Sequence, residues 1–455
     1  MTDPRRALPS IGTLLASAAG RDLAARHGTG AVRLHLRRVV DEARQEAAAG
    51  APAPDGEAVL ARAARRLAQR CAPDGRRAIN ASGILLHTGL GRAPLSQAAV
   101  AALVAAAGST PLQASLDTGN RSLREEKAEE LLRELTGCEA ATVVNNNAAA
   151  TMLMLAAVAG GREVVVSRGQ LVEIGGAFRL PEVMELSGCR LREVGTTNKT
   201  HLRDYERALG PDTGALLHVH TSNYRIRGFA ETPDIAALAA LGQAHGVAVL
   251  DDLGSGALLP LARHGLADEP LVQDSLRAGA RLCCFSADKL IGGPQAGIIC
   301  GSAELVARVR THPIARMVRV CKLTLAALEA TLLHLVNGEA DTAIPFWRTL
   351  ARPLAEVRAE AEALAAALAG IPAQVRVIEA EAFIGSGSLP DEAIASAALA
   401  IAPAALSAAA LGERLRQGVP PVFTRLADRQ VVVDCRTLQA GEAAQVAAAV
   451  RAALA

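Results

Sequence analysis

Aromatic side chains are scarce in these 455 residues: one Trp, two Tyr and six Phe, 2% in all. That scarcity argues against binding nucleic acid by stacking bases on rings, and leaves phosphate contacts open. Lysine is scarcer than arginine by four to 44, so chemistry that needs a lysine amine has only Lys127, Lys199, Lys289 and Lys322 to draw on. The eight cysteines include no CxxC and keep no regular spacing, which reads as reduced buried thiols and argues against disulfides and zinc. Net charge is only +2, so no overall field draws the chain to polyanions. The start, MTDPRRALPS, lacks the apolar core of a signal peptide. One uncharged stretch, Ala393 to Leu411, approaches membrane-spanning length, but it is mostly alanine broken by Ser396, Pro403 and Ser407. It reads as a buried strand followed by a helix, and a cytoplasmic protein without a membrane anchor is expected.

What is present is a chain that is 50% hydrophobic, long enough for two to four domains at roughly 100–200 residues each. Residues 1–77 read as short helices and carry 14 arginines against eight acids, a net of +6. Arg33, Arg37 and Arg44 share one helical face, and Arg62, Arg65, Arg66 and Arg70 form a stripe on another. From 78 to 329, β-branched runs alternate with helical stretches, which predicts an α/β domain with a mostly parallel sheet. Residues 330–455 read as a smaller C-terminal α+β domain. In the middle region polar strings follow the apolar runs: NNN after TVV, HTSN after LLHV, DDLGSG after VAVL, and SADK after CCF. In open α/β sheets the carboxyl ends of strands are where ligands bind.

Lys289 differs from the other lysines because it follows a buried strand and precedes IGGPQAG, where glycines let backbone approach a ligand. A desolvated amine there loses its proton easily and can form a Schiff base. Pyridoxal phosphate is the cofactor that this pattern fits. Asp252, with Asp251 as the alternative, is placed to hold a pyridinium nitrogen protonated. The Asn145–Asn147 turn, through Asn146 and Asn147, offers amides and a helix N-terminus to a phosphate, with Ser286 as an extra donor.

The strings INASGILLHTGLGRAPL (79–95), VVNNNAAA (143–150), SRGQLVEIGGAFRLPEV (167–183), EVGTTNKT (193–200), HTSNYRIRGF (220–229), DDLGSGAL (251–258) and FSADKLIGGPQAGIICG (285–301) resemble those of the bacterial L-seryl-tRNA(Sec) selenium transferases, or selenocysteine synthases. Gly89 and Gln170 depart from the usual Asn and Glu. The resemblance implies a fold-type I pyridoxal phosphate enzyme that turns seryl-tRNA(Sec) and selenophosphate into selenocysteinyl-tRNA(Sec). Loss of water would give an aminoacrylyl-tRNA, to which selenide adds. It implies Lys289 as the cofactor lysine and general base, Lys289 or Asp288 as the acid for the leaving hydroxyl, and Asn223 as a further cofactor contact. Arg92, Arg316 and Arg319 are implied as the selenophosphate site, with pocket residues drawn from different chains of a homo-oligomer, a decamer built from dimers. It also gives the basic residues 1–77 a task, holding tRNA by its backbone. A related lyase acting on a small amino acid or an amino-sugar phosphate is the alternative, and such an enzyme has no use for those arginine faces.

Overall fold

The computed structural model describes residues 8–71, 75–176, 178–267 and 269–455; the MTDPRR start and Ala177 of the string at 167–183 fall outside them. Contacts divide the chain into two compact units, Met1–Arg77 and Ala78–Ala455.

The first unit contains the helices Ile11–Ala16, Ala18–His27, Thr29–Ala48 and Gly56–Cys71. Ser10 and Ser17 cap the first two, their hydroxyls accepting from Thr13 N and Gly20 N. Gly20 is required where it stands, since a Cβ there would lie 1.9 Å from Leu14 O. Val32, Leu36, Val39 and Val40 of the third helix meet Val59, Ala63 and Leu67 of the fourth in a small core. Beside it, Arg66 pairs with Glu42 at 2.6 Å and Arg62 with Glu46 at 2.9 Å, while Arg44 pairs with Asp41. Three of the seven arginines on the expected basic faces are thus spent on neighbouring acids. Arg33, Arg37, Arg65 and Arg70 have no ion pair among the described residues.

In the second unit a seven-stranded sheet runs in the order Ala140–Val144, Gly297–Gly301, Leu282–Ser286, Ala248–Gly254, Thr213–Val219, Glu163–Ser167, Arg190–Val194. All neighbours are parallel except Gly297–Gly301, which runs antiparallel to both of its partners. Side chains alternate between faces. Val164, Val166, Leu217, Leu250 and Leu282 pack under the helix Asn147–Ala159, and Val165, Leu216 and Val249 pack on the opposite side with Tyr205 and Leu238. Leu153, Met154 and Leu155 of that helix are fully buried, each contributing roughly 1.5–3 kcal/mol. The strand Arg190–Val194 is hard to read from sequence because it is an edge strand whose Arg190, Arg192 and Glu193 stay exposed.

A five-stranded sheet follows the order Ile79–Ala81, Val422–Ala427, Gln430–Asp434, Ser388–Pro403, Ala373–Gly385. Ile79–Ala81, at the start of the region expected to form the large domain, is hydrogen-bonded into this smaller sheet, parallel to Val422–Thr424. Asp428 and Arg429, both at positive φ, turn the hairpin between Val422–Ala427 and Gln430–Asp434. The helices Leu354–Ala367, Ala408–Gln417 and Glu442–Leu454 share one core with this sheet. Within the Ala393–Leu411 stretch the strand runs to Pro403 and a helix begins at Ala408. Among the described residues no helix is long and apolar enough to cross a membrane. Cys138, Cys189, Cys283, Cys284, Cys300 and Cys435 are free and buried; Cys321, expected to be buried like them, is exposed because it caps the helix Lys322–Val336.

Candidate active site

Face alternation decides between the two adjacent aspartates. Asp252 shares its side of the strand with Leu250 and meets the helix Asn147–Ala159, where Asn147 Nδ2 donates to Oδ1 and Thr151 Oγ1 to Oδ2, each at 2.8 Å. Asp251 points the other way, to His218 Nδ1 at 2.7 Å and the Ser275 hydroxyl. Asp252 is 5% exposed, and burial raises its carboxyl above the ordinary range against the pull of Asn147 and Thr151. Asn147 thus gives one of its two amide N–H donors to the carboxylate, a partner that the sequence does not suggest. Asn146 is the helix cap, its Oδ1 accepting from Ala149 N. Thr151 escaped the sequence reading, although it lies one helical turn beyond Asn147 and so on the same face.

Lys289 follows the strand Leu282–Ser286 and is 6% exposed. Burial lowers its amine below the ordinary lysine range; Arg92 adds to this, and Asp288, Asp252 and Glu269 oppose it. Lys289 and Asp252 line one cavity of about 240 Å³ with Arg92, Asn146, Asn147, Ser286 and His220. Close packing makes that wall possible: a Cβ at Gly297 would lie 2.1 Å from Asn146 O. Arg92, at φ +63°, donates from Nη1 to Asp288 Oδ2 at 2.8 Å. Asp288 Oδ1 is buried without a partner among the described residues, as is Asn147 Oδ1. Asn223 stands outside this lining. Its Nδ2 donates to Glu173 O at 3.1 Å, and its Oδ1 is buried without a partner among the described residues.

Arg316 and Arg319 line a different cavity, about 390 Å³, with Arg124 and Arg310. Their spacing of three would put both on one face of a continuous helix. Instead the helix Pro313–Met317 ends before Arg319, which bridges to Val144 while Asn145 N donates to Val318 O. Pairing with the strand end takes those residues out of the helix. Arg124, also missed in the sequence, donates to Val320 O at 2.8 Å. Burial lowers its guanidinium below the ordinary range, helped by Arg319 and Arg316. Within one chain, then, Arg92 is brought to Lys289, and Arg316 and Arg319 are not.

A buried amine and a buried, twice hydrogen-bonded carboxylate facing one cavity suit a cationic heteroaromatic ring carrying an aldehyde. The unpartnered Asn147 Oδ1 shows polar capacity still unused in that wall.

A family model described as L-seryl-tRNA selenium transferase matches residues 78–439, and one described as selenocysteine synthase N terminal matches residues 5–44. An L-seryl-tRNA(Sec) selenium transferase of Carboxydothermus hydrogenoformans is 43% identical over 438 residues, covering 95% of this chain and 94% of that protein. Those of Rhizobium meliloti and Moorella thermoacetica are each 46% identical, covering 95% and 98% of this chain and 94% and 96% of their own. Among solved structures, D-glucosaminate-6-phosphate ammonia-lyase superposes with a TM-score of 0.60 at 21% identity, covering 83% of this chain and 96% of that one. This last likeness is one of fold, the α/β architecture of fold-type I enzymes.

Proposed function

The chain belongs to the L-seryl-tRNA selenium transferase family, and from that premise we propose that it converts L-seryl-tRNA(Sec) to L-selenocysteinyl-tRNA(Sec), with selenophosphate as donor and pyridoxal phosphate held at Lys289. The observation that carries the reading is the pairing of Lys289 and Asp252, both buried, across one small cavity. When bound, the cofactor supplies an electron-withdrawing ring beside the seryl Cα.

The protein's own groups do the rest. Burial keeps the Lys289 amine easily deprotonated, so it serves both as the attachment point and as the base that takes the Cα proton. Asp252, oriented by Asn147 and Thr151, gains back its charge when a cationic ring nitrogen faces it. Ser286, Asn146 and the N-terminus of Asn147–Ala159 are the groups for the cofactor phosphate, and the unpartnered Asn223 Oδ1 is a further group that could contact the cofactor. Asp288, held by Arg92, or the Lys289 ammonium delivers the proton that lets the seryl hydroxyl leave as water. Arg92 also offers positive charge to selenophosphate. Arg316 and Arg319 act on the Lys289 pocket of a neighbouring subunit in a cytoplasmic homo-oligomer, a decamer built from dimers; their separation from Lys289 within one chain supports this. Arg33, Arg37, Arg65 and Arg70, which are not spent on acids, are the residues of the first unit that neutralise tRNA phosphates.

The test is direct. The holoenzyme is incubated with seryl-tRNA(Sec) and selenophosphate, the tRNA is deacylated, and the released amino acid is identified by mass. Selenocysteine is expected; recovery of serine alone contradicts the proposal.

A further inference from the structure

We propose that Glu269 is a positioning residue for the chemistry at Lys289, acting through the ring of His220; this rests on the reading of the pocket given above. Glu269 is 5% exposed, and a buried carboxylate is costly unless donors surround it. Three do. His220 Nε2 lies 2.8 Å from Oε2, the Ser255 hydroxyl donates to the same oxygen at 3.2 Å, and Leu389 N donates to Oε1 at 3.3 Å.

His220, with Val219, is wall that the Lys289 cavity shares with a larger one of about 670 Å³. Its backbone N–H donates to Asp252 O at 2.9 Å, so the ring is anchored beside the carboxylate that faces the cofactor site. A carboxylate opposite Nε2 fixes which ring nitrogen carries the proton. Nδ1 is then the ring nitrogen left for an occupant of the pocket, on a ring whose orientation Glu269 holds.

The third donor ties this pair to the smaller sheet. Leu389 is the second residue of the return strand of the hairpin Ala373–Gly385/Ser388–Pro403, whose tip is held from several sides. Ser386 bonds to Leu86 O and to Thr88 Oγ1, and Gly387 lies so close to Asn223 that a Cβ would come within 2.9 Å of the Asn223 Cβ. Five non-glycine residues among those described have positive φ, and three of them, Arg92, Ser386 and Leu389, gather here. Such conformations cost about 1–3 kcal/mol each and persist where the surroundings over-determine them. A simple strut between sheets needs neither a buried carboxylate nor an imidazole on the pocket wall.

Glu269→Gln, Glu269→Asp, His220→Asn and the double variant Glu269→Gln/His220→Asn are to be compared in the holoenzyme. Readouts are cofactor affinity by absorbance titration, Tm, and kcat and KM for seryl-tRNA(Sec). Glu269→Gln is expected to keep its cofactor and lose kcat by about 10–100-fold, the usual cost of removing an orienting partner, with little change in KM. Glu269→Asp, which keeps the charge, should recover part of the loss. The double variant should be no slower than the slower single one, since the two residues act as a unit. Unchanged kcat in Glu269→Gln, a loss confined to Tm and cofactor content, or additive effects in the double variant would each overturn the proposal. Lys289→Ala in the same assays separates the two levels: if it keeps linked cofactor and turnover, the pocket reading itself fails, whereas silent Glu269 variants beside a dead Lys289→Ala sink only this inference.

Discussion

The cavity around Lys289 and the cavity around Arg319 are built on opposite electrostatic plans. Around Lys289 charges of both signs are interleaved: Arg92 with Asp288, Asn147 and Thr151 on Asp252, His220 on Glu269. Around Arg319 the neighbouring carboxylates are already spent. Glu125 accepts from the Thr142 hydroxyl and faces Arg310, while Glu129 takes Arg310 and Ala141 N. Arg316 and Arg319 are left beside Arg124, whose guanidinium burial lowers with their help. A balanced pocket is preorganised within its own chain, and an excess of one sign marks a surface that an anion or another chain completes.

Subunit mixing is the sharpest way to break that comparison. The Lys289→Ala and Arg319→Ala variants should each lose at least about 100-fold in kcat, the scale for losing a nucleophile or a charged anion donor. Co-assembled from both variants, the oligomer should regain a substantial part of its activity, because some pockets then join an intact Lys289 to an intact Arg319. Failure to complement would place both residues in the same pocket and erase the contrast.

The same distinction between spent and free charge divides the helical unit, with smaller effects. Arg33→Ala or Arg37→Ala should reduce the slope of log affinity against log salt for tRNA by about one each. Arg62→Ala and Arg66→Ala remove exposed ion pairs worth about 0–1 kcal/mol and should leave that slope nearly unchanged. Salt titrations of all four variants with seryl-tRNA(Sec) check this; equal slopes would mean the pairs open on binding.

How much of this was legible in the sequence varies with the range of the interaction. Lys289 and Asp252 could be read because apolar runs mark the strands and polar strings mark their ends. Choosing Asp252 over Asp251 required the structure, since both faces of that strand are buried and Val249 and Leu250 are equally apolar. Thr151 was within reach by helical spacing. His220 with Glu269 was not, because the pair joins segments far apart in sequence and includes the turn at Leu389. Arg319 was misplaced because pairing to Val144, a tertiary contact, overrode the local helical pattern.

The central claim is that the amine of Lys289, opposite Asp252, holds the cofactor. Borohydride reduction of the purified holoenzyme, followed by proteolysis and peptide mass analysis, tests it. The reduced pyridoxyl adduct should sit on the peptide containing Lys289 and nowhere else; an adduct on Lys127, Lys199 or Lys322, or none at all, would contradict the account.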